Sequence, residues 1–288
     1  MNDRRHIGFQ SLGGLTLAIG ILPWAFSATL ADPVQLAGAY FSWAAALYLY
    51  AAGGAAGAAF TLSPGDAMRP GWALLSLSYL VLVPSGLWYG PRGLGLYEST
   101  NRSPGILVTA GIASGALAVA AFLLLSRAWR ASGLEMTSRA SRVVTRLGAL
   151  AVAILLAGPD LVERFPDAMR GDVLAIGDVV TDVLDGALFV VAAPILRAAL
   201  LLGGGLAAWP WIFLTSSLFA WLGYDAIAAY GDVAGLAPRT IRVTEEIFRT
   251  LGAAFTFAAG VAQRWMITGR PVRAAATDGR GAGSAGRP

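Results

Sequence analysis

Asp178, Asp182 and Asp185 follow an i, i+4, i+7 spacing inside an otherwise apolar run. On a helix that spacing puts three carboxyls on one face, within about one quadrant of the circumference. An Asp at the centre of a bilayer costs roughly 2.5 to 3.5 kcal/mol, so three of them facing lipid are excluded. They must line a wet cavity, be paired, or sit where the helix extends beyond the bilayer and its carboxyls are solvated or end-capping. Asp225 falls at a similar depth in the next apolar run, and Asp160 near the end of the preceding one could join them. The last run opens with Glu245, Glu246 and Arg249. Glu245 and Arg249 form an i, i+4 pair of favourable orientation, and Arg249 is the best internal counter-ion for the Asp row. The candidate polar site is therefore Asp178, Asp182, Asp185 and Asp225 with Arg249. Its chemistry would be binding of a cation or an amine, or uptake of protons.

The rest of the inventory removes other chemistries. All 21 basic residues are Arg, His6 is the only His, and there is no Cys. A Schiff-base lysine, a bis-His haem, a thiolate nucleophile and a thiolate metal site are thereby excluded, and no catalytic group, metal or cofactor is expected. The segment Glu245-Glu246-Ile247-Phe248-Arg249 looks like the Glu-Glu-x-x-x-Arg motif of intramembrane CAAX-type proteases but is one residue short, and the His that those enzymes need in later helices is missing. A rhomboid-like Ser and His dyad fails for the same reason. The Arg residues are dispersed at the edges of apolar runs instead of forming one stripe, which argues against nucleic acid as a partner.

The elements that must position the polar residues are membrane helices. The chain is 56% hydrophobic and only 13% charged, against about 25% charged in a soluble domain. A bilayer core of about 30 Å takes about 20 apolar residues per spanning helix, and eight such runs follow one another: Gly8 to Leu30, Leu36 to Leu62, Gly71 to Tyr89, Pro104 to Leu125, Val143 to Val162, Ile176 to Leu202, Trp209 to Tyr230 and Val243 to Gln263. The expected fold is an all-α polytopic bundle of about eight spanning helices, residues 1–270, with a disordered cytoplasmic tail at 271–288. Fourteen of the 21 Arg residues, Arg4, Arg5, Arg127, Arg130, Arg139 and Arg142 among them, fall on the side of the termini. The positive-inside rule then puts both termini in the cytoplasm, with the lipid bilayer of the cytoplasmic (inner) membrane as the protein's surroundings. Trp72, Trp129, Trp209, Trp211 and Trp265 fall at expected inner edges and Trp88 at an outer edge, as headgroup-level indoles should.

Several local features qualify this picture. Gly158-Pro159-Asp160 near the end of the fifth run leaves open a broken or re-entrant segment and seven crossings. The first run, with Arg4 and Arg5 before it and Thr29-Leu30-Ala31 after it, resembles a signal sequence, but it exceeds the usual core of about 7 to 15 residues and is expected to be retained. Gly53-x-x-x-Gly57 and Gly111-x-x-x-Gly115 fit close helix packing, and Pro23, Pro84, Pro159 and Pro194 fit kinks. Ala46-Leu47-Tyr48 aligns with Ala187-Leu188-Phe189, and Gly71-Trp72-Ala73-Leu74 with Pro210-Trp211-Ile212-Phe213. A parallel four-plus-four repeat, 8–130 and 143–270, would account for both.

Gly177-Asp178, Asp185-Gly186-Ala187-Leu188, Pro194-Ile195-Leu196-Arg197, Trp209 to Leu222 and Gly223-Tyr224-Asp225-Ala226-Ile227-Ala228-Ala229-Tyr230 together resemble the multi-pass membrane input regions of bacterial histidine kinases and diguanylate cyclases, over about a third of the chain. The resemblance implies a sensor. After Arg270 only Pro271 to Pro288 follow, without room for a kinase or cyclase, so the expectation is a stand-alone, non-enzymatic module acting through a separate signalling or membrane protein. The alternative is a small secondary transporter in which Asp182, Asp185 and Asp225 couple cations or protons to a solute. The nearly unbroken Ala, Leu, Val and Gly of the inner helix halves, with Arg197 the main exception, favours the sensor.

Overall fold

The computed structural model describes residues 2–94, 104–131, 138–201 and 205–268; the expected tail at 271–288 lies outside the described residues. The chain folds into helices α1 (Asn2–Gly20), α2 (Leu22–Thr29), α3 (Pro33–Thr61), α4 (Arg69–Gly93), α5 (Pro104–Ala131), α6 (Arg139–Met169), α7 (Val173–Leu201), α8 (Trp209–Tyr230) and α9 (Pro238–Thr268), and the described residues contain no strand. Helices α1 and α2 form one arm, interrupted at Ile21 just before Pro23, whose ring removes a backbone donor. That makes eight arms, as the apolar runs predict, so the chain is a multi-pass helical membrane protein. Among the described residues, six arms are long and apolar enough to cross a membrane. The other two, α7 and α9, have 29 and 31 residues and carry the acidic row and the Glu245, Glu246 and Arg249 cluster.

The fifth run is neither broken nor re-entrant. Helix α6 continues for 31 residues with Pro159 and Pro166 inside it, and its partner α7 lies antiparallel beside it. Acidic residues start several helices: Asp32 accepts from the Val34 amide at 2.9 Å, Asp66 from Met68 at 2.8 Å and Asp172 from Leu174 at 2.8 Å. Asp32 and Asp172 each satisfy a donor that the first turn leaves unpaired, and Asp66 closes the turn that leads into α4. Gly171 and Gly235, at φ +88° and +70°, turn the chain between α6 and α7 and between α8 and α9, in a conformation that costs glycine little.

Helices α3, α4, α5, α7, α8 and α9 pack in that cyclic order into a ring, with α1 on the outside of α9 and α6 on the outside of α7 and α8. Close approaches set the ring. A Cβ on Gly260 would overlap the Gly54 carbonyl, and one on Gly54 would come within 2.8 Å of the Phe257 oxygen, so α3 and α9 touch backbone to backbone. Of the two small-residue pairs, Gly111 and Gly115 face Thr181 and Leu184 of α7, whereas a methyl added at Gly53 or Gly57 would meet nothing within 4 Å. The close contact belongs to Gly54, one residue along and therefore about 100° round the helix.

At the pole of the termini, Phe9 stacks on Trp209 at 5.8 Å and meets Trp265 tilted at 5.7 Å. Arg197 there donates to the Ser141 carbonyl at 3.2 Å and the Thr145 hydroxyl at 2.9 Å, which ties α7 to α6. Trp72, Trp129 and Trp211 are not interfacial indoles. They are 0%, 4% and 2% exposed, and Trp129 meets Trp211 edge-on at 4.7 Å, because their helices turn these faces into the ring.

Candidate functional site

The ring encloses a cavity of about 470 Å³ at the pole away from the termini, and Asp178, Asp182, Asp185, Asp225 and Arg249 all line it. One water needs about 10 to 15 Å³ of such space, so the cavity is roomy as well as polar. The i, i+4, i+7 row of α7 supplies three of the carboxyls, α8 supplies Asp225, and Asp160 and Arg164 reach in from α6.

The acidic residues divide by depth. Asp178 is half-exposed at 47% and pairs with Arg164 at 3.6 Å, and Asp160 pairs with the same Arg at 3.5 Å. This rim fits the solvated-helix-end expectation. Asp182 and Asp185 are partly buried, and Asp160 lines the same cavity beside them. Asp225 is 9% exposed, and its Oδ2, like that of Asp182, has no hydrogen-bond partner. A carboxyl placed this deep is stable only with a donor beside it.

Arg249 shares the cavity but is not the counter-ion of the Asp row. It pairs with Glu246 at 2.6 Å, and its guanidinium lies 5.8 Å from the Phe41 ring centre and 5.5 Å from that of Tyr224. Arg242 meets the same Glu246 oxygen, Oε1, at 2.9 Å and also takes Glu245 at 3.2 Å, so Glu245 pairs with Arg242 instead of Arg249. The physical reason is reach: α9 presents Arg242, Glu246 and Arg249 on adjoining turns of one face, and they satisfy one another before any carboxyl across the cavity can compete. The acidic row's own cation is Arg164, whose i, i+4 relation to Asp160 is legible in the sequence. Among the described ion pairs, none involves Asp182, Asp185 or Asp225.

Deeper in, the lining turns aromatic and hydroxylic. The Tyr79 and Thr256 hydroxyls are 2.8 Å apart, Ser217 and Thr256 are 2.8 Å apart, and the Trp221 indole donates to Tyr79 at 3.3 Å. Ser217 also donates to the Gly252 carbonyl at 2.7 Å. Arg242, Arg249 and Thr256 are spaced by seven residues along α9, a pattern that marks one helix face. Tyr48, Tyr79 and Trp221 come from three different helices and give no such signal. Beyond Leu75, Phe122, Leu188 and Leu214 the cavity ends, and the buried Trp72, Trp129 and Trp211 fill the bundle. No protein-family model, curated protein or solved structure matches the chain.

Proposed function

We propose that this protein is a sensor-like membrane module that binds a small cationic ligand in the acidic cavity and acts through a separate signalling or membrane protein, without enzymatic activity. The observation that carries this reading is the convergence of Asp182, Asp185 and Asp225 on one cavity, with Asp225 buried and one of its oxygens unpartnered. The Arg distribution supports a cytoplasmic membrane with both termini inside, and hence a cavity open to the outer side. The tryptophan layer below the cavity supports a bound-and-read ligand over one that passes through.

The test is the melting temperature of the purified protein in detergent, from pH 5 to 8, against mono- and divalent cations and amines, for wild type and Asp182→Asn. A ligand at 100 times its dissociation constant adds about 2.7 kcal/mol to the folded state. The expected outcome is a specific upward shift that Asp182→Asn abolishes; indifference of both proteins to every cation would sink the proposal.

A second reading, a secondary transporter coupling cations or protons through the same carboxylates, is favoured by one observation. The Tyr79, Thr256 and Ser217 hydroxyls continue the polar lining inward, and Gln263, buried at 5% exposure, lies seven residues beyond Thr256 on α9. Uptake of a labelled cation into proteoliposomes separates the two: flux supports the transporter, and binding without flux supports the sensor.

A further inference from the structure

The cavity's shape and lining narrow the ligand class, on the premise that the cavity is a cation site at all. Nothing about it suits a bare metal ion. Ca²⁺ needs 6 to 8 oxygens at about 2.3 to 2.6 Å, and the described residues contain no group of three acidic or imidazole side chains close enough to hold a metal. The space is about 470 Å³, the scale of an organic molecule. Its carboxyls are strung out, since Asp178 and Asp185 are seven residues apart on α7, about 10 Å along the axis.

The charges are also distributed unevenly. Arg242 and Arg249 are engaged by Glu245 and Glu246, and Arg164 by Asp160 and Asp178. Among the described ion pairs none reaches Asp182, Asp185 or Asp225, so these carboxyls offer acceptors to more than one ammonium. Beside them stand Tyr79 and Trp221, whose ring faces attract ammonium groups and whose bodies accept methylenes.

We infer that the cavity binds a linear organic di- or polyamine, with its ammonium groups among Asp182, Asp185 and Asp225 and its methylenes against Tyr79 and Trp221. Asp225, the most buried of the three, accepts from the innermost ammonium. A single ammonium on a compact body, as in methylammonium, reaches only part of the carboxyl group and leaves the aromatic wall uncovered.

Equilibrium dialysis of the full-length protein in detergent tests this, with labelled 1,4-diaminobutane and spermidine as ligands and methylammonium, Na⁺, Mg²⁺ and Ca²⁺ as competitors. Saturable binding of one of the two amines, displaced at least tenfold less effectively by methylammonium and the metal ions, is expected. Asp225→Asn and Asp185→Asn should each weaken it at least tenfold while eluting from gel filtration like wild type. Should Na⁺, Mg²⁺ or Ca²⁺ compete as well as the unlabelled amine, the cation site stands and the polyamine inference falls. If neither amine binds wild type, the inference is overturned whatever the variants do, and the melting-temperature series then decides whether the cation site falls with it. Unchanged binding in a well-folded Asp225→Asn would also overturn it.

Discussion

Glu246 is 3% exposed, and two guanidinium groups, Arg242 and Arg249, close on it at 2.9 and 2.6 Å. A charge so placed is held by its partners alone, because water cannot reach it. Removing one partner of a buried pair typically costs about 3 to 5 kcal/mol, most of it the penalty on the charge left behind. Glu246→Ala should therefore destabilise the protein by about that amount in denaturant unfolding, and the Glu246→Ala, Arg249→Met double variant should recover part of the loss. A double variant no more stable than the single one would mean that the network contributes packing and not charge balance. The sequence shows that Arg249 needs an acid, and several stand within its reach or across from it. Choosing Glu246 requires the rotation of α9 within the ring, which no spacing rule contains. The row of Asp178, Asp182 and Asp185 was legible for the opposite reason: its spacing alone fixes a common face, whatever that face meets.

At the level of whole helices, α3 and α9 meet where Gly54 and Gly260 bring backbone against backbone. Van der Waals packing is the main force between helices in lipid, so the methyl of Gly260→Ala must push the two apart and with them Tyr48 and Arg249, which both line the cavity. Overpacking of this kind costs about 1 to 3 kcal/mol. Gly260→Ala should lower the melting temperature and weaken cation binding together, while Gly57→Ala, which meets nothing, should leave both within error. Equal effects from the two would remove the α3 and α9 crossing as the element that sets the cavity's width. Here the sequence is only half informative. Helix existence and order follow from apolar length, and the eight arms appear where the runs predict. Lateral neighbours do not follow, because 36 glycines offer many equivalent close approaches and only three-dimensional packing selects among them. The same ambiguity moved Trp72, Trp129 and Trp211 from an expected lipid interface to the interior.

Seen whole, the molecule has two unlike poles: Arg197 and stacked indoles at one, and the acidic mouth with Arg164 and Arg242 at the other. The chain has no cysteine, so single reporters can be introduced cleanly at Asp232 beyond α8 and at Ser138 ahead of α6, both exposed. A membrane-impermeant maleimide applied to intact cells should label Asp232→Cys and leave Ser138→Cys unlabelled until the cells are opened. The reverse pattern would put the acidic mouth in the cytoplasm. The tryptophan layer has a consequence for the electric field as well. Along α8 the cavity extends from Ala228 to Leu214, about 20 Å at 1.5 Å per residue, against a hydrocarbon thickness of about 30 Å. A wet well of that depth carries the potential of its mouth down to its floor. The transmembrane drop, worth about 2.3 kcal/mol per elementary charge at 100 mV, is then compressed into the remaining third of the bilayer. Trp72, Trp129 and Trp211 sit there as the dielectric of a thin capacitor. A charge resting on Asp225 stands outside that field, and one carried past the indoles crosses all of it within about 10 Å.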